Sequence, residues 1–131
     1  MKWYYLIVAL FVSIGVMAQE PPQDKEKMLR ENIDKTLEKY EKTLDLEYWQ
    51  VFYMDSILTH DYGAMMAELE EKSKAKVENS KIYQIVQDKW NERIYNSIHK
   101  ILNEDQWSKY LKQGAAREKK ARDKREEKRN K

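Results

Sequence analysis

Two histidines, His60 and His99, and the adjacent pair His60–Asp61 are the side chains of this sequence with the most chemistry to offer. A structural zinc site takes four protein ligands and a catalytic one takes three, drawn from His, Cys and carboxylate. The chain has no cysteine, and neither histidine belongs to a His-x-x-x-His or Glu-x-x-His set. Both therefore read as solvated or hydrogen-bonded side chains, with weak metal binding at His60 or His99 as the alternative. Ser56, Ser73, Ser80, Ser97 and Ser108 fall in helical or capping contexts, without the strained Gly-x-Ser-x-Gly elbow that activates a serine nucleophile. Glycine occurs only at 15, 63 and 114, so no Gly-rich loop can cradle a phosphate. Acid pairs such as those in ELEEK (68–72) follow from abundance and fit a solvated helix face. The sequence predicts no catalytic residue, no metal site and no cofactor, and the chain reads as non-enzymatic.

The apolar side chains say more. Trp49, Phe52 and Tyr53 cluster in one short stretch, and Met54, Met65 and Met66 follow. Methionine adapts to irregular partners because its side chain is unbranched and polarisable. Such stripes commonly build a core or a dimer interface. This segment, however, is apolar on more faces than one helix–helix contact can cover, and a surplus of that kind marks a binding surface. Trp49, Phe52, Tyr53, Met65 and Met66 are the expected client- or partner-binding residues.

These residues need helices to position them. Proline occurs only at 21 and 22, so the body has almost no chain breakers. Leu29, Ile33, Leu37, Tyr40 and Leu44 lie on one helical face and predict a first helix over about 25–42. Asp45 can cap a second, continuing past Gly63 to about Lys76. Asn79 or Ser80 can cap a third, whose face is Ile82, Val86, Trp90, Ile94, Ile98 and Ile101, with Gln87, Asp88, Asn91 and Lys100 outward. A fourth begins near Asn103, anchored by Trp107, Tyr110 and Leu111. No segment has strand periodicity. The fold class is all-α: long helical hairpins in an elongated antiparallel assembly, with a homodimer expected. At 37% charged residues and without disulfides, one small core has limited apolar surface, which favours association.

The ends differ from the body. Lys2, the apolar run from Trp3 to Val12 and the small residues around Ala18 have the layout of a secretory signal peptide. Val16 and Ala18 fill the −3 and −1 positions, which divides the chain into a signal peptide (1–18), a helical domain (19–116) and a charged extension (117–131). The expected location is the periplasm or outside the cell, the alternative being a retained membrane anchor. The net charge of +2 is uneven, because 117–131 holds nine basic and four acidic residues. That extension is expected to be a helix that frays or a disordered tail, held only by i,i+4 pairs such as Glu118–Arg122 and Arg122–Glu126. Nucleic acid is not an expected partner; weak contact of the basic tail with acidic surfaces is.

Leu102-Asn103-Glu104-Asp105-Gln106 first reads as a capping box, in which the Asn103 oxygen caps the helix and Gln106 reaches back to the cap residue's N–H. The same five residues resemble the LTxxQ signature of the Spy/CpxP family of periplasmic proteins, with Asn103 in the Thr place. Leu44–Tyr48 (LDLEY) stands where a first signature would fall, with Asp45 for Thr and Tyr48 for Gln, although Gln50 lies two residues further on. The resemblance implies cradle-shaped antiparallel helical dimers and an ATP-independent chaperone or stress modulator that binds apolar segments of envelope or partly folded proteins. Two other readings stand beside it: a structural or regulatory partner docking on one dedicated envelope protein, and a metal-responsive sensor.

Overall fold

Residues free of proline and rich in helix formers leave the backbone little choice but helix, and the fold is all-α. A computed structural model of the chain describes residues 22–131; the expected signal peptide and its cleavage site lie outside them. The described elements are α1 (Pro22–Thr43), α2 (Tyr48–Lys74), α3 (Ser80–Ile101), α4 (Glu104–Tyr110) and α5 (Ala116–Arg129). A kink within Leu111–Ala115, where Gln113 and Gly114 leave helical geometry, joins the last two. None of the helices among the described residues is long and apolar enough to cross a membrane.

The α1 stripe is the first wall of the core. Ile33, Leu37, Tyr40 and Leu44 are buried against Met54 and Leu58 of α2 and Ile94 and Ile98 of α3. A second, smaller cluster joins Met65 and Leu69 of α2 to Val86 of α3, with Tyr62, Tyr83 and Trp90 around it. Polar pairs extend these contacts at the rims. Arg30 of α1 donates to Asp55 (2.8 Å) and Thr59 (3.1 Å) of α2. Lys89 of α3 donates to Glu68 of α2.

Asp45 does not cap α2. Its φ of 53° places it in the left-handed region, which Asp tolerates better than most residues because its short polar side chain bonds locally. Leu46 N then donates to the Glu41 carbonyl (3.2 Å), closing the end of α1. The cap of α2 falls two residues later, at Glu47. Asn79 caps α3 as expected from the sequence, its side chain accepting from Lys81 N at 3.0 Å.

The charged extension forms a helix, Ala116–Arg129, that packs on α3. Arg125 and Arg129 meet Asp88, while Lys119 and Arg122 meet Glu92. Arg122 pairs with Glu92 across the helices, not with Glu118 or Glu126 along its own. Asp88, expected outward, is consequently buried under α5. Burial pushes the Asp88 carboxyl up, but hydrogen bonds from Arg125, Gln84 and Arg129 outweigh it and hold the group below its ordinary value. A charged side chain leaves water only when paired in this way.

Candidate functional site

Two glutamines organise the end of the molecule where α2 and α4 begin. In each helix the glutamine is the third residue and its side-chain oxygen returns to the cap: Gln50 Oε1 accepts from Glu47 N (2.9 Å), and Gln106 Oε1 accepts from Asn103 N (3.1 Å). Asn103 Oδ1 in turn accepts from Gln106 N at 2.8 Å. Both amide nitrogens are then free to reach across. Gln50 Nε2 donates to Gln106 Oε1 at 2.6 Å, and Gln106 Nε2 donates to Gln50 Oε1 at 3.0 Å. Gln50 Nε2 also donates to the Ile101 carbonyl (2.8 Å), and Gln106 Nε2 lies near those of Leu44 and Asp45. Both side chains are buried, so this amide pair satisfies the ends of α1 and α3 while fixing the starts of α2 and α4. Leu102 packs, half-buried, on the core beside it.

The register of the first cap motif is therefore Leu46–Gln50, not Leu44–Tyr48. Gln50, three residues after Glu47, was the signal. It was masked by Asp45, a better cap by residue type that the chain uses for a left-handed turn instead.

Fixing the first turn of α2 decides which side chains face water. At 100° per residue, positions 48, 49, 52 and 53 share an arc of about 140°, with 50 and 54 on the far side. Gln50 and Met54 are buried, whereas Tyr48 is 92% exposed, Phe52 68%, Tyr53 52% and Trp49 50%. The rings support one another: Trp49 and Tyr53 meet edge to face at 6.2 Å, and Phe52 and Tyr53 at 5.7 Å. Trp49 Nε1 donates to Glu47 Oε2 at 2.5 Å. Four large aromatic residues held outward on one helical face expose an unusually large apolar area with few rotatable bonds.

The other predicted binding residues sit elsewhere. Met65, 0% exposed, is a core residue packed with Leu69 and Val86, and Met66 is half-buried. Met65 cannot offer its side chain to a client, and the aromatic patch is separate from it. Tyr48 joins the patch because the cap falls at Glu47, which makes it the first residue of α2 and turns it outward.

The histidines serve local contacts. His60 Nδ1 lies 2.8 Å from Asp61 Oδ1, and His99 stacks on Trp107 with ring centroids 3.9 Å apart. Among the described residues no three His, Cys, Asp or Glu side chains are grouped as metal donors would be.

A concavity of about 130 Å³ lies between α1, α3 and α5, lined by Tyr40, Tyr62, Tyr110, Glu118 and Arg122 among others. Burial pushes the three phenols and the Glu118 carboxyl up, keeping all four in their neutral forms over a wider pH range. Arg122 Nη2 is buried there without a hydrogen-bond partner. Roughly 10–15 Å³ suffices for one water, so this space is large enough for several.

Comparison with known protein families, with curated proteins and with solved structures returned no match.

Proposed function

We propose that this chain is a non-enzymatic, exported helical protein that binds apolar segments of envelope or partly folded proteins, in the manner of the Spy/CpxP family, as an ATP-independent chaperone or stress modulator. The observation that carries this reading is the outward arc of Tyr48, Trp49, Phe52 and Tyr53. A monomer with no partner to bind has little reason to hold four aromatic side chains in water. Binding at such a surface is loose and reversible, since it rests on area and ring contacts and not on a closed pocket.

The paired glutamines support the family reading. Leu46–Gln50 and Leu102–Gln106 are two motifs of one pattern, with Glu47 and Asn103 in the Thr place, and they meet through the amide pair. A cradle follows if long hairpins are built from α1, α2 and α3 and paired with a second copy. The 27 residues of α2 span about 40 Å at 1.5 Å per residue, and α2 pairs with α3 from Gln50–Ile101 at one end to Glu68–Lys89 near the other. The chain carries no Lys or Arg between Thr43 and Glu71, and Asp45 and Glu47 flank the patch, whereas Asp55 is already paired with Arg30 of α1. Apolar client segments bearing Lys or Arg are therefore favoured over acidic ones.

The test is suppression of aggregation of a chemically unfolded model protein by the purified chain without nucleotide. Suppression at a few-fold molar excess is expected; none at any excess overturns the reading. A dedicated docking partner is the second reading, favoured by the same patch because four clustered aromatic residues also make an interface hot spot. One stoichiometric partner captured from an envelope extract supports docking, and a broad set of captured chains supports chaperoning.

A further inference from the structure

Eight of the nine cations of the 117–131 segment divide by face, the ninth, Lys131, lying past the end of α5. Lys119, Arg122, Arg125 and Arg129 turn inward and are ion-paired to Glu92 and Asp88 of α3. Arg117, Lys120, Lys124 and Lys128 are all exposed. Their spacing of three, four and four places them within an arc of about 80° over about 16 Å of helix. The acids Asp123, Glu126 and Glu127 fall outside that arc, Glu127 bordering it, and Asp123 is engaged by Lys119. The inner pairs hold α5 on α3, so the outer four are presented together along one helical face.

We propose that this outward row of α5 is a docking strip for a membrane surface rich in anionic phospholipid. A cluster of four or more Lys or Arg on one helical face is what such a surface recruits, each adding about 1 kcal/mol, or about fivefold, near the headgroups. The chemistry of the row favours lipid over other polyanions. Three of its four cations are lysines, which act as point charges on flexible stems and do not form the planar fork that grips a particular carboxylate or phosphate. No aromatic or amide side chain stands in the row to stack on or read a base. A row along one helical face fits a laterally continuous layer of charge. The aromatic arc of α2, the proposed client surface, lies on another helix. The strip does not depend on that function and stands if the chaperone reading fails.

The experiment is co-sedimentation of the full chain with vesicles of phosphatidylcholine alone and of phosphatidylcholine with phosphatidylglycerol. The quantity read is the gain that phosphatidylglycerol confers, which cancels any binding common to both lipids. A gain that falls as salt rises is expected. Joint substitution of Lys120, Lys124 and Lys128 by Gln lowers it about 100-fold, whereas Lys35→Gln, Lys42→Gln and Lys109→Gln together, at the same net charge, leave most of it. No gain with phosphatidylglycerol overturns the proposal. Equal loss in both variants overturns it as well, because net charge alone then explains binding. Binding to a DNA duplex more tightly than to the anionic vesicles, at equal charge concentration, also overturns the choice of lipid.

Discussion

Removing the amide pair one side at a time gives a sharp test of how the molecule is held together. In Gln106→Ala the helix loses the return bond to Asn103 N and both bonds with Gln50, and the Leu44 and Asp45 carbonyls lose a nearby donor. Each bond contributes about 0.5–1.5 kcal/mol net, and buried groups left without partners cost more, so about 2–4 kcal/mol is expected. Gln50→Ala removes the cap bond to Glu47 N, the bond to the Ile101 carbonyl and the same two shared bonds, at a similar cost of about 2–4 kcal/mol. The shared bonds are counted in both single variants but can be lost only once. The double variant should therefore be less destabilised than the sum by about 1–3 kcal/mol. Urea unfolding of the four proteins, followed by far-UV circular dichroism, measures this. Additivity within about 0.5 kcal/mol would refute the reasoning, since it is the behaviour of residues that do not touch.

Other consequences follow from single features. Met65→Ala should cost about 2–5 kcal/mol by leaving a cavity in the second core cluster, whereas Phe52→Ser should shift stability by no more than about 0.5 kcal/mol; thermal or urea unfolding compares them. Gly114 has φ of 117°, where an L side chain is strained, so Gly114→Ala should cost about 1–3 kcal/mol and loosen α5 first, read as faster amide exchange beyond residue 115. Because the Asp88 carboxyl is held below its ordinary value, its ionised form stabilises the fold above the unfolded-state pKa of about 4. That contribution is lost as pH falls through the lowered value. Acid titration should release α5 below about pH 4, and Asp88→Asn should weaken α5 at neutral pH and remove this step.

How much of this was legible follows from what each residue's neighbours allow. The helices were legible because proline is confined to 21 and 22, and because the apolar positions of α1 and α3 repeat on one face. The Asn103–Gln106 cap was legible because a capping box is local: both bonds close within one turn. The earlier box was missed for the opposite reason. Asp45 has the residue type of a cap, but the closure of α1 uses it first, and only the fold decides which claim prevails. Met65 and Phe52 lie in one segment that is apolar on several faces, and the sequence cannot say which face α3 covers. The docking of α5 is carried by pairing between segments. Asp88 and Glu92 are one turn apart on α3, and Lys119, Arg122, Arg125 and Arg129 repeat at helical spacing on α5. Each alone resembles a solvated face, and the match appears only when the helices meet.

If other proteins bind at the aromatic arc of α2, photo-cross-linking from within the arc captures them. A photo-reactive phenylalanine analogue is placed at position 52 in one sample and at the exposed position 120 of α5 in another. Each is illuminated with an unfolded model protein under conditions where the chain suppresses its aggregation. Strong cross-linking from position 52 is expected, and its loss when Tyr48, Trp49 and Tyr53 are replaced by Ser. Equal or stronger cross-linking from position 120, or cross-linking from 52 that survives those replacements, would contradict binding at the arc.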